Sequence, residues 1–276
     1  MKIFMSKQWQ LLWQGKDPFA EAQALQGKIF RSKEGRRTLR FENEGRGYFL
    51  KLHEGIGWGE IFKNIFQLRL PVLGAANEYL ACLRLKELGV DTMIPVAFGE
   101  RGINPARRLS FLVTEELADT VSLEDYCKSW QESPPSVREK RAIIRKLAYI
   151  SKTLHENGIN HRDYYLCHFL RSDDGKPYQY TDPLYLIDLH RVQMRKATPR
   201  RWLVKDLAGL FYSAFDLPLT RRDLLCFISA YRRNWLRNDA CELRSVIERA
   251  IALYRKDFGR NPPAVISDIL SLDHYT

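Results

Sequence analysis

The sequence predicts an α+β chain in two lobes: a small β-rich N-lobe with one main helix over residues 1–117, and a larger, mostly helical C-lobe over residues 118–276. Three observations carry that expectation. Glycine-bearing turns divide β-rich runs between residues 28 and 53. A helix-period stripe follows near residues 75–88, and helix-period patterns dominate after the linker Ser133-Pro134-Pro135-Ser136. A chain of 276 residues suits one large domain or two such lobes.

The N-terminal run MKIFMSKQWQLLWQGKD lacks the long apolar core of a secretory signal, so none is expected. The first strand is Ile29-Phe30-Arg31, and the turn Lys33 to Arg37 leads from it into Thr38-Leu39-Arg40-Phe41. The turn Asn43 to Gly47 then leads into Tyr48-Phe49-Leu50-Lys51-Leu52, giving a three-strand antiparallel meander. The first turn is basic but holds one glycine, which reads as an ordinary hairpin more readily than as a phosphate loop. Period-two alternation puts Lys51 on the side of Phe49 and His53.

Gly55-Ile56-Gly57-Trp58-Gly59 opens a segment with Trp58, Ile61, Phe62, Ile65 and Phe66 on one helical face. Such a face most often packs on its own domain; the sharper reading is an interfacial or lipid-facing helix, because Trp and Phe with basic flanks suit a membrane boundary. The helix near 75–88 ends at Gly89, and Glu78 shares a stripe with Ala81, Leu85 and Leu88. An inward carboxylate needs a cationic partner, and Lys51 is the natural one. Strand-like runs at Pro95–Glu100 and Leu109–Thr114 lead into Glu115-Glu116-Leu117.

In the C-lobe, Ser136 with Glu139 forms a capping-box pattern ahead of a helix that buries Ile143, Leu147, Ile150 and Leu154 and stops at Asn157-Gly158. The loop His161-Arg162-Asp163-Tyr164-Tyr165-Leu166-Cys167-His168 therefore follows a long buried helix. A turn-rich stretch from Ser172 to Pro177 and the run Leu184 to Ile187 make a hairpin with Asp188 at its exit. Residues 191, 195, 196, 200, 201 and 205 are all basic, with no acid between. Beyond about residue 202 the pattern is helical to the end, with a break at Pro262-Pro263.

A net charge of +11 favours an anionic partner: nucleic acid, an anionic membrane surface or a phosphorylated substrate. No helix-turn-helix, zinc-finger or RNP-like pattern supports a nucleic-acid partner, and none is expected. The five cysteines, at 82, 127, 167, 226 and 241, show no C-x-x-C pair, which suits a reduced, cytoplasmic setting. No stretch nears the ~18 apolar residues of a spanning helix.

The order of the parts points to phosphoryl transfer by a protein-kinase-like fold. A strand lysine (Lys51) and helix glutamate (Glu78) would hold nucleotide phosphates, and main-chain groups at Glu115 and Leu117 would meet the adenine. Asp163 would orient the attacking hydroxyl and accept its proton. Asp188, 25 residues later, would hold Mg²⁺ through hard carboxylate oxygen. His168 stands where a protein kinase carries asparagine; it could ligate the metal, bond to Asp163 or contact phosphate. The rival readings are a small-molecule or tyrosine-directed protein kinase, or a non-catalytic nucleotide-binding pseudokinase.

The segments HRDYYLCHFL, GIGWGEIFKN, LRLPVLGAANEY and VAFGERGINPARR resemble the lipopolysaccharide core heptose(I) kinase family (WaaP/RfaP) over about residues 25–240. The resemblance implies ATP as donor and a hydroxyl on the first heptose of the inner core as acceptor, at the cytoplasmic face of the inner membrane. It also implies that histidine at His168 is a family trait. An acceptor bearing phosphates and sugar-acid carboxylates would use Arg191, Arg195, Lys196, Arg200 and Arg201. The positive surface also permits an acidic protein partner, with acyl carrier protein as a candidate.

Overall fold

A computed structural model of the chain describes residues 1–33, 35–55, 57–66, 74–231 and 239–263. They form two compact units: Met1–Glu87, Thr92–Ala118 and Asp188–Arg191 in the first, and Leu88–Asp91, Asp119–Ile187 and the residues from Val192 onward in the second.

The first unit begins with β1 (Lys2–Met5), α1 (Lys7–Leu12) and α2 (Pro18–Ala24), then β2 (Lys28–Lys33), β3 (Arg36–Asn43) and β4 (Arg46–His53). α3 (Gly57–Phe66), α4 (Ala76–Glu87), β5 (Pro95–Arg101) and β6 (Leu109–Glu115) follow. The expected meander is β2-β3-β4, and it is part of a six-stranded antiparallel sheet in the order β1-β5-β6-β4-β3-β2. Alternation on β4 sorts its side chains. Tyr48, Leu50 and Leu52 join Trp9, Trp13, Phe19 and Phe111 in one core. On the other face Phe98, Leu112 and Ala75 form a second core with Tyr79 of α4, and Lys51 is paired with Leu112 in register. Alternation thus turns Lys51 to the face α4 covers. The sequence did not announce β1, α1 and α2: β1 is mostly exposed and carries no period-two burial, and the two helices have only 6 and 7 residues.

α3 does not bury its aromatic stripe among the described residues. Trp58, Phe62 and Phe66 are 50%, 52% and 87% exposed, and Trp58 stacks on Phe62 at 5.8 Å. The side chains of Ile61 and Ile65, residue Ile56, and residues 67–73 with most of LRLPVLG lie outside what is described.

The second unit contains β7 (Thr120–Ser122), α5 (Leu123–Cys127), α6 (Val137–Glu156), β8 (Ile159–Asn160), β9 (Phe169–Ser172), β10 (Tyr185–Leu186), β11 (Gln193–Met194), α7 (Arg200–Ser213), α8 (Arg221–Tyr231) and α9 (Asp239–Phe258). α6 buries Ile143, Leu147, Ile150 and Leu154 as its periodicity requires. Only half of the capping box forms. Ser136 Oγ accepts from the Glu139 N–H, whereas the Glu139 carboxylate accepts from the Tyr178 N–H and the Tyr126 hydroxyl. It lies 3.6 Å from Arg171, which is 4% exposed. A buried guanidinium needs a carboxylate more than a helix end does.

Gly158 ends α6 at φ +74°, where a Cβ would meet Arg195 O at 1.8 Å, so only glycine lets β8 pair with β11. The hairpin is β9–β10, and β7 adds a third strand on β9. The C-terminal helical run is broken after Ser213 at Leu217-Pro218-Leu219, and its last residues, 264–276, lie outside those described. No helix among the described residues is long and apolar enough to cross a membrane.

Candidate active site

In the first unit, β4 and α4 bring Lys51 and Glu78 together, with Lys51 Nζ donating to Glu78 Oε1 at 2.6 Å. Glu78 is 1% exposed and Lys51 23%, so the carboxylate is buried and the ammonium partly so. Asp188 Oδ1 lies 3.7 Å from the same ammonium. Burial pulls the Lys51 pKa down, but Glu78 and then Asp188 outweigh it and hold it above the usual lysine value. Asp188 sits at φ +59°, a costly conformation for a non-glycine residue, and its Oδ1 accepts from His190 Nδ1 at 2.6 Å. Asn77 of α4 donates to the His190 carbonyl and so ties the Leu189–Arg191 turn to the helix that carries Glu78. His53, buried in β4, is driven down to about 3 by burial and then by Arg36, Lys51 and His190.

Glu115 and Glu116 commit their N–H groups to Ile94 O at 3.0 Å and Gly47 O at 2.9 Å. Arg40 holds the Glu116 side chain at 2.6 Å. Leu117 follows directly.

In the second unit, the His161–His168 loop is held by main-chain contacts. The N–H groups of His161 and Arg162 donate to the two oxygens of Asp206, at 2.6 and 2.9 Å. Asp206 is 1% exposed and lies on α7. The turn at Arg162 has φ +78°. His161 Nε2 donates to the Ile187 carbonyl at 3.0 Å, and His168 Nδ1 donates to the Asp163 carbonyl at 2.7 Å. Both rings therefore orient the loop through the backbone. Tyr164 is buried with its hydroxyl on Ser151 Oγ, while the Leu166 N–H donates to Ser213 Oγ. Gly209 lets α7 approach, since a Cβ there would come within 2.9 Å of Tyr164 O. Asp163 itself stays half-exposed on this fixed frame.

Lys51, Glu78 and Asp188 thus meet in one unit, and Asp163 and His168 in the other. Of the basic run, Arg191 closes the turn that holds Asp188, Arg195 Nη1 donates to Asn160 Oδ1, and Arg200 lies against Ser245. Lys196 and Arg201 are exposed. Sequence reasoning missed Asp206 and His190. Asp206 was findable as Glu78 was, because it falls on the apolar stripe of Leu203, Leu207 and Leu210. His190 follows Asp188 by two residues and offered no periodic signal.

A lysine paired with a helix glutamate, and an aspartate on a loop fixed by main-chain bonds, are the arrangement expected of a protein-kinase-like phosphotransferase, and that is the class. A family model described as the lipopolysaccharide kinase (Kdo/WaaP) family matches residues 20–231. The chain belongs to that family. It is 52% identical to the lipopolysaccharide core heptose(I) kinase WaaP of Pseudomonas aeruginosa over 261 residues, covering 93% of this chain and 97% of the relative. An Escherichia coli protein of the same name is 51% identical over 220 residues, 80% of this chain and 83% of its own. A solved structure described as WaaP in complex with acyl carrier protein superposes with a TM-score of 0.79 at 47% identity, covering 92% of this chain and all of that one.

Proposed function

We propose that the chain transfers the γ-phosphate of ATP to a heptose hydroxyl of the lipopolysaccharide inner core. The Lys51–Glu78 pair, with Asp188 at 3.7 Å, is the observation that carries the kinase reading. The names of the relatives support the acceptor. Lys51 binds the nucleotide phosphates, and Glu78 keeps it charged and aimed. Main-chain groups at Glu115 and Leu117 meet the adenine. Asp163 accepts a hydrogen bond from the heptose hydroxyl and takes its proton late, because a loose transition state demands positioning more than basicity.

A divalent ion fits the residues at hand. Asp188 presents one third-exposed carboxylate, and Mg²⁺ commonly takes one or two protein carboxylates and completes its shell with phosphate and water. When bound, Mg²⁺ neutralises charge on the transferring phosphoryl group. Asp188 would hold it, steadied by His190, and His168 is the second residue we assign to metal or phosphate. Arg191, Arg195, Lys196, Arg200 and Arg201 draw in the anionic acceptor.

The exposed Trp58, Phe62 and Phe66 of α3 support peripheral contact with the inner membrane from the cytoplasmic side. A net +11 surface, with a solved relative described in complex with acyl carrier protein, supports that acidic protein as a partner. The test is phosphate transfer from Mg-ATP to dephosphorylated core glycolipid. Asp163→Ala is expected to lower turnover by about 10²–10⁴ with the fold intact. Asp188→Ala is expected to lose ATP affinity and turnover together. Unaltered transfer by Asp163→Ala overturns its role.

A further inference from the structure

Four cations surround one indole in the second unit. The guanidinium carbons of Arg162, Arg201 and Arg195 lie 5.2, 5.3 and 5.9 Å from the ring centroid of Trp202, and Lys205 Nζ lies 5.4 Å from it. They arrive from separate elements: Arg162 from the His161–His168 loop, Arg195 from just beyond β11, and Arg201 and Lys205 from the first turns of α7. Cations gathered so closely repel one another, and the indole face offsets only part of that.

Further observations point the same way. Arg195 is oriented by neutral oxygens, Asn160 Oδ1 at 2.6 Å and Gln193 Oε1 at 2.5 Å, and among the described residues neither Arg195 nor Arg201 forms a salt bridge. α7 starts at Pro199 with no side-chain cap and no acid in its first turn, so its positive end adds to the same field. The buried Nε1–H of Trp202 meets no acceptor among the described residues. The buried acid of α7, Asp206, has both oxygens on the His161 and Arg162 N–H groups.

We propose that Arg162, Arg195, Arg201 and Lys205 around Trp202 form a subsite for an oxyanion carried by the acceptor, a phosphomonoester or a sugar carboxylate. Guanidinium groups bind such groups through paired N–H donors, and Trp202 is the positioning residue that spaces them. Because Arg162 is bonded to Asp163, an anion held here sets the acceptor in register with the loop that carries the base. The subsite selects for charged acceptors. The ligand's identity rests on the glycolipid-kinase reading; the existence of an anion site does not.

Two measurements separate these claims. In full-length protein carrying ¹⁵N-labelled tryptophan, the Trp202 indole resonance is identified by its loss in Trp202→Phe and followed during titration with inorganic phosphate. A saturable shift is expected, with affinity weakened about tenfold or more in Arg195→Gln/Arg201→Gln while the other indole resonances stay in place. No shift, an equal response to chloride at matched ionic strength, or an unweakened double variant overturns the site. Steady-state kinetics then use core glycolipid with its other anionic groups intact or removed. The double variant is expected to raise the KM for the intact acceptor about tenfold, leave the KM for ATP unchanged, and lose less on the stripped acceptor than on the intact one. An unchanged acceptor KM alongside a saturable phosphate shift overturns the acceptor assignment. Absence of any transfer by the unsubstituted protein sinks the glycolipid-kinase reading instead, and the indole titration still reads the site.

Discussion

Glu78 lies on the covered face of α4 at 1% exposure, and a carboxylate there is tolerable only because Lys51 meets it at 2.6 Å. The pair is coupled to pH through a sign that can be worked out. Lys51 has a folded pKa above its ordinary value, so the stability it contributes is fully present below that ordinary value and is lost as pH rises through the raised one. In Glu78→Gln the largest opposing charge is gone and burial pulls the ammonium down. The alkaline limb of kcat/KM for ATP is therefore expected to move to lower pH, which a pH–rate profile checks; an unmoved limb contradicts the pairing. This residue pair was legible in the sequence, since period two set the face of Lys51 and period 3.6 set that of Glu78. Asp188 was legible as a carboxylate after an apolar run. Its φ of +59° and its bond to His190 were not, because neither follows from spacing.

The loop is held in place by α7, a helix whose role the sequence concealed. Asp206 accepts two main-chain N–H groups of the loop in a buried setting, and no motif marks the carboxylate that will brace a segment 44 residues earlier. Leaving two buried donors unmet costs about 1–3 kcal/mol each. Asp206→Ala is therefore expected to lower stability by roughly 2–6 kcal/mol and turnover by at least tenfold, with little change in the KM for ATP. Denaturant midpoints and steady-state kinetics check this, and Asp206→Asn, which keeps one acceptor oxygen, should fall between. α6 was read correctly as a buried, serine-capped helix, yet its Glu139 serves Arg171 rather than the helix end. The pattern S-x-x-E could not report a buried arginine 32 residues away. The commoner fate of such a stripe is packing on its own domain, yet Trp58, Phe62 and Phe66 are exposed, which is the ground for proposing contact with lipid. Trp58→Ser/Phe62→Ser is expected to weaken binding to anionic vesicles several-fold in a sedimentation assay while kcat on detergent-dispersed acceptor holds.

At the scale of the whole molecule, a β-rich first unit carries Lys51 and a largely helical second unit carries the His161–His168 loop. The meander and α6 were readable because hydrophobic periodicity changes from two to 3.6 along the chain. The N-terminal β1, α1 and α2 were not, because short elements around Trp9, Trp13 and Phe19 take their order from a core assembled by distant strands. The charge of +11 belongs to the same scale, and it suits an acceptor that is itself anionic. The central claim is transfer of one phosphate from ATP to one heptose. Mass spectrometry of core glycolipid before and after incubation with the protein and Mg-ATP tests it most directly. A mass gain of a single phosphate, mapped to one heptose and absent with Asp163→Ala, is the result expected. No gain, or a phosphate mapped to a group other than heptose, would contradict it.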